Sequence, residues 1–163
     1  MSIDAAAATV LLERLEAEGA VKRTILELFR ASDAEDWDAV RTCLCDDFSM
    51  SVSAKVSQDA AAVGAEAIRG AQMMITVLQK LAEKWHSIGI KNVMHILGEI
   101  RVQVFGHQAL ADACHVSYLC RSEDSSPRSI AGYRGNYRLR REDQGWKLVF
   151  AETPRMWAQG EPY

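Results

Sequence analysis

The hydrophobic period of this chain changes once, near Gly89, and that change constrains the fold more than any other feature. Before Gly89, apolar residues recur at three- and four-residue intervals. Val21, Ile25, Leu28 and Phe29 form one such set, and Ile68, Ile75, Leu78, Leu81, Ala82 and Trp85 another. This spacing puts each set on one side of a helix. After Gly89 the period is two. Val93, His95 and Leu97 share one face, Met94 and Ile96 the other, and Ile100, Val102 and Val104 alternate with Arg101 and Gln103. Alternation of this kind marks half-buried strands. Helices followed by long strands specify an α+β fold with a mostly antiparallel sheet, not alternating βαβ units. A strongly curved sheet closed by helices makes a cone, and its inside must be filled by side chains or by a ligand.

The same reading divides the chain more finely. Gly19 is expected to interrupt the first helical stretch, which carries Val10, Leu11 and Leu15. Ser32 and Asp33 end that stretch and can cap a short helix holding Trp37, Val40 and Leu44. Phe48, Met50 and Val52 suggest a strand, residues 53 to 63 a loop, and a long helix then runs to Gly89. Ala109 to Cys120 and Ile130 to Arg140 read as long strands, separated by a polar loop from Arg121 to Ser129. Trp146, Leu148 and Phe150 share a face of the next strand, and the tail beyond Pro154 reads as loosely held. With 163 residues, the whole chain is expected to be one domain with its core over about residues 20 to 152.

Charge and cysteine usage narrow the partners. The net charge is −3, and no basic cluster is interleaved with aromatics. Arg138, Arg140 and Arg141 fit the solvated face of a strand, so no nucleic acid is expected. Cys43, Cys45, Cys114 and Cys120 form no C-x-x-C pair, so no zinc site is expected. No run of eighteen apolar residues exists, and Met1 to Ala8 carry no secretory pattern. The expected setting is the cytoplasm, away from membranes.

Several stretches, in order, resemble one family. Ile25 to Phe29 with Ser32 to Val40, Cys45-Asp46-Asp47-Phe48, Gly64 to Ile68, Met94 to Gly98, Phe105 to Ala109 and Gly145 to Leu148 are together similar to the SnoaL-like, or nuclear transport factor 2-like, proteins. The resemblance implies the cone fold with a pocket for a small hydrophobic organic ligand. It also implies pairing into homodimers through the outer face of the sheet. The family includes dehydratases, isomerases, polyketide cyclases and non-catalytic oxygenase small subunits, so fold alone does not give function.

His95 is the first candidate for chemistry. It lies on an apolar strand face, where a histidine can simply be core. The resemblance implies an acid/base role, since dehydratases of this family carry such a His, and imidazole titrates near neutrality. Asp33 suits a helix cap equally well, and by resemblance it would orient the imidazole. Trp37, Tyr118 and Asn136 are expected to contact substrate. Trp37 also fits a core position, and Tyr118 shares its face with Asp112 opposite His115, so either strand face can be the concave one. Asn136 stands where many relatives have an arginine. The dehydratases' first-helix tyrosine and last-strand arginine have no match here, Leu28, Phe29 and Arg30 and then Ala151 and Glu152 standing in their neighbourhoods. The expected function is a cofactor-independent dehydratase, isomerase or cyclase on a hydrophobic cyclic or polyketide-like substrate. The alternative is a non-catalytic ligand-binding or oxygenase small-subunit-like module.

Overall fold

The computed structural model describes residues 4–51, 67–121 and 127–160. Two helices come first, α1 (Ala5–Asp33) and α2 (Trp37–Thr42), then strand β1 (Leu44–Ser51), a short β2 (Ala67–Arg69) and helix α3 (Ala71–Ser87). Five strands complete the chain: β3 (Ile90–Phe105), β4 (Gln108–Arg121), β5 (Pro127–Glu142), β6 (Gly145–Glu152) and β7 (Arg155–Gly160). The period change near Gly89 is thus the boundary between α3 and β3. The strands form one mixed sheet in the order β2-β1-β6-β5-β4-β3, with β7 added beside β5. Only β1 and β6 run parallel; the other pairs are antiparallel.

α1 is continuous through Gly19. A helical glycine costs about 1 kcal/mol relative to alanine, too little to break 29 residues otherwise rich in Ala, Leu and Glu. Its start is capped by Asp4, whose carboxylate accepts from the Ala6 amide. Only the second half packs on the sheet, through buried Val21, Ile25, Leu28 and Ala31; Val10, Leu11, Leu12 and Leu15 remain exposed. The Thr24 hydroxyl ties this half to β6 by donating to the Trp146 carbonyl.

Three other expectations shift. Ile68 belongs to β2, not to the long helix, because Gly70 turns the chain at φ 87° and α3 starts only at Ala71. Phe150 leaves the face of Trp146 and Leu148: a bulge opposite Arg138 and Leu139 turns it to the outer side, where the Arg138 guanidinium sits 4.4 Å from its ring centroid. As far as Gly160 the tail is held, since Arg155–Gly160 pairs with Ser129–Tyr133 and Trp157 lies over Gly132; residues 161–163 lie outside the described residues. Val52, the 53–63 loop, Gly64 to Glu66 and most of the Arg121–Ser129 loop lie outside the described residues.

Alternation decides what faces the helices. On β4, Ala109, Ala111, Ala113, His115, Ser117 and Leu119 are buried, and on β5 Ser129, Ala131, Gly135, Tyr137 and Leu139. A bulge between Leu97 and Ile100 lets His95 and Leu97 share the concave side with Ile100 and Val102, although the parity changes. Gly135 matters on this face because the Tyr137 ring lies back over it, where a Cβ would meet the hydroxyl. We expect Gly135→Ala to destabilise the fold by about 1–3 kcal/mol through overpacking. Chemical denaturation should show a lower midpoint at unchanged slope.

Candidate active site

α1 ends against β3, and its last residue, Asp33, makes the join. One carboxylate oxygen accepts from the His95 backbone amide at 2.8 Å, and the other lies 2.5 Å from His95 Nδ1. Both side chains are largely buried, Asp33 at 22% and His95 at 17% exposure. Asp33 therefore does not cap α2. Asp36 does, accepting from the Ala39 amide at 3.1 Å. A carboxylate can only accept, so opposite it Nδ1 is the donor and Nε2 is the ring nitrogen left without this partner.

His95 lines a cavity of about 210 Å³ between the concave sheet and the helices. Its walls are mainly apolar: Leu28 and Phe29 from α1, Leu44, Phe48 and Met50 from β1, Met74, Leu78 and Leu81 from α3, and Val93 and Leu119. From the sheet His95, His115, Ser117, Tyr133 and Tyr137 reach the same space, and Ser32 of α1 and Trp85 of α3 also line it. Asp33 stands behind His95 and does not line the cavity itself.

The two histidines share an aromatic wall. The Phe29 ring lies 5.1 Å from His95 and 4.8 Å from His115, and the two imidazoles are 5.7 Å apart. Tyr133 stacks on His115 at 4.9 Å and 8°. His115 is 5% exposed. Burial, with a smaller contribution from His95, lowers its pKa to about 4. It is a neutral imidazole at pH 7, so it cannot supply an imidazolium to a reaction.

The structure brings Asp33 and His95 together and leaves the three other candidates elsewhere. Trp37 packs half-buried against the core and does not line the cavity. Tyr118 is three residues from buried His115 and therefore on the other face, in register with Met94 and Ile130. Asn136 is exposed on that same outer face, in a shallow concavity with Arg101, Asp112 and Arg138. Asp112 there pairs with Arg101 at 2.6 Å. Among the described residues no three His, Cys, Asp or Glu side chains converge as metal ligands would.

Sequence reasoning passed over His115, Ser117 and Tyr137. A signal existed: positions 109, 111 and 113 are all Ala, while the alternate positions carry Leu110, Asp112 and Cys114. A face of small residues next to a histidine leaves room for a ligand.

Several solved structures share this architecture. A nuclear transport factor 2-like protein with a cystatin-like fold from Novosphingobium aromaticivorans superposes with TM-score 0.72 at 20% identity, over 94% of this chain and 90% of that one. A scytalone dehydratase-like protein from the same organism gives 0.71 at 12%, over 96% and 92%. A hexachlorocyclohexane dehydrochlorinase from Novosphingobium barchaimii gives 0.71 at 12%, over 91% and 92%. At these identities the likeness is one of fold. No curated protein matches by sequence. The model of the SnoaL-like domain, however, matches residues 13–151. That span runs from within α1 to within β6 and includes both members of the Asp33–His95 pair, and the chain belongs to the SnoaL-like family.

Proposed function

We propose that this protein is a cofactor-independent lyase or isomerase, of the dehydratase, isomerase or cyclase kind, acting on a hydrophobic cyclic or polyketide-like molecule. The observation that carries this reading is the Asp33–His95 pair, with His95 at the wall of a mainly apolar cavity. Nε2 of His95 takes a proton from a carbon next to a carbonyl. Asp33 holds the ring and stabilises the imidazolium that forms. The same proton then goes to a leaving hydroxyl or to another carbon. The scytalone dehydratase-like protein and the dehydrochlorinase, whose names denote elimination reactions, support this class by analogy.

A second reading, a non-catalytic binding module, draws on the unmatched tyrosine and arginine. In the neighbourhood of that tyrosine this chain offers Leu28 and Phe29, which only add apolar wall. The pair itself separates the two readings. We expect His95→Gln to keep folding and ligand binding while lowering turnover at least about a hundredfold, the ordinary weight of acid–base catalysis. Asp33→Asn should act in the same direction more weakly. Thermal shift against hydrophobic cyclic ketones finds ligands, and steady-state kinetics then decides. Full turnover in the His95 variant would leave the binding module as the better reading.

The pKa of His115 generates a second expectation. Its folded value, about 4, lies below its ordinary 6.5. Between those values the unfolded chain takes up a proton that the folded chain refuses. Stability is therefore full above pH 6.5 and falls as pH drops toward 4, by on the order of 3 kcal/mol. Urea denaturation across that range should show the loss, and His115→Gln should flatten it.

We also propose a homodimer. The outer face of the sheet leaves Met94, Ile96, Leu110 and Trp157 about half exposed. A second copy would cover this apolar surface. Light scattering at micromolar concentration should give twice the mass of 18.1 kDa; a monomer mass would refute it. Its four cysteines are free thiols, which suits the cytoplasm.

A further inference from the structure

Tyr137 presents a buried polar atom with no place to go. The residue is 3% exposed, and its hydroxyl finds no hydrogen-bond partner among the described residues. The side chain is on the concave face of β5, lines the cavity, and lies back over Gly135. In the register of the sheet, Gly135 is opposite Ala113, one step along the same face from the stacked His115–Tyr133 pair. Tyr137 and His95 thus line the same cavity from the concave side of the sheet. A buried hydroxyl without a partner costs free energy, and native proteins rarely leave one unless it serves a ligand or ordered water. Burial also raises the phenol's pKa well above its ordinary value. It therefore keeps its proton and acts as a donor at any working pH.

We propose that Tyr137 is the hydrogen-bond donor that holds the substrate's carbonyl oxygen, and that the molecule taken by this cavity is an apolar ring bearing one ketone or enol oxygen. This rests on the acid–base reading of His95 and adds its missing half. When Nε2 of His95 removes a proton from the carbon next to the carbonyl, the electrons of that C–H bond form a C=C bond. The carbonyl π pair moves onto oxygen. That oxygen, now an enolate, receives the Tyr137 O–H hydrogen bond, which strengthens as charge develops. The imidazolium returns its proton when a hydroxyl leaves or when another carbon is protonated. The donor comes from the fifth strand, while the first helix contributes Leu28, Phe29 and Ser32 to this space.

The test compares two probes of nearly equal shape, 1-tetralone and tetralin, which differ by the carbonyl oxygen. Each is titrated into the full chain and into Tyr137→Phe by calorimetry. The expected result is a roughly five- to tenfold weaker affinity of the variant for 1-tetralone, with tetralin unchanged. The variant's melting temperature should equal or exceed that of the parent chain, because only an unpartnered atom is lost. Equal 1-tetralone affinity in both proteins, no 1-tetralone binding to the parent chain, or an equal loss of both probes would overturn the proposal. The titration involves no turnover. Its failure is therefore distinct from failure of His95 as the base, which kinetics alone reports.

Discussion

One carboxylate holds the site to the fold. Asp33 accepts from the backbone and the ring of the same residue, His95, and so locks the end of α1 to the middle of β3. A negative charge at a helix C-terminus is disfavoured by the helix dipole. Here two N–H groups offset that cost, and the geometry they impose is the one acid–base chemistry needs. The imidazole has a fixed orientation, a fixed tautomer and one nitrogen left for the cavity. Loosening this contact would free both the helix and the base.

The space in front of His95 exists because of what its walls leave out. Interiors are close-packed, so an unfilled volume of about 210 Å³ needs small residues where large ones would fit. Among its lining residues Ser32, Ser117, Ala151 and Thr153 are small. Apolar side chains come mainly from α1, β1 and α3, and His95, His115, Ser117, Tyr133 and Tyr137 come from the sheet, so a ring bound there would meet both hydrophobic contact and hydrogen-bonding groups.

Bulges assign the faces. The irregularity after Leu97 keeps His95 and Ile100 on the concave side despite their odd and even numbers, and the one beside Arg138 sends Phe150 outward while Ala151 stays buried. Each reverses the inward and outward alternation within a strand. β4 and β5 pair without a break from Gln108 to Leu119, so plain alternation there puts Tyr118 and Asn136, reasonable by residue type, on the outer face and His115 and Tyr137 on the cavity side.

The sequence by itself determined the α+β class and the order of the long helices and strands, without β2 and β7. These follow from local periodicity; the family resemblance offered the pairing of Asp33 with His95 beside an equal helix-cap reading. It also determined that Val93, His95 and Leu97 share a face, since no bulge falls among them. Only the tertiary structure decided which side of β4 is concave, that β7 is held beside β5, and that His115 and Tyr137 line the same cavity as His95. Those outcomes depend on register and on contacts between residues far apart in the chain, such as His115 with Phe29 and Trp157 with Gly132. Local pattern carries no information about them, because a shift of one residue exchanges the faces without changing the composition of either.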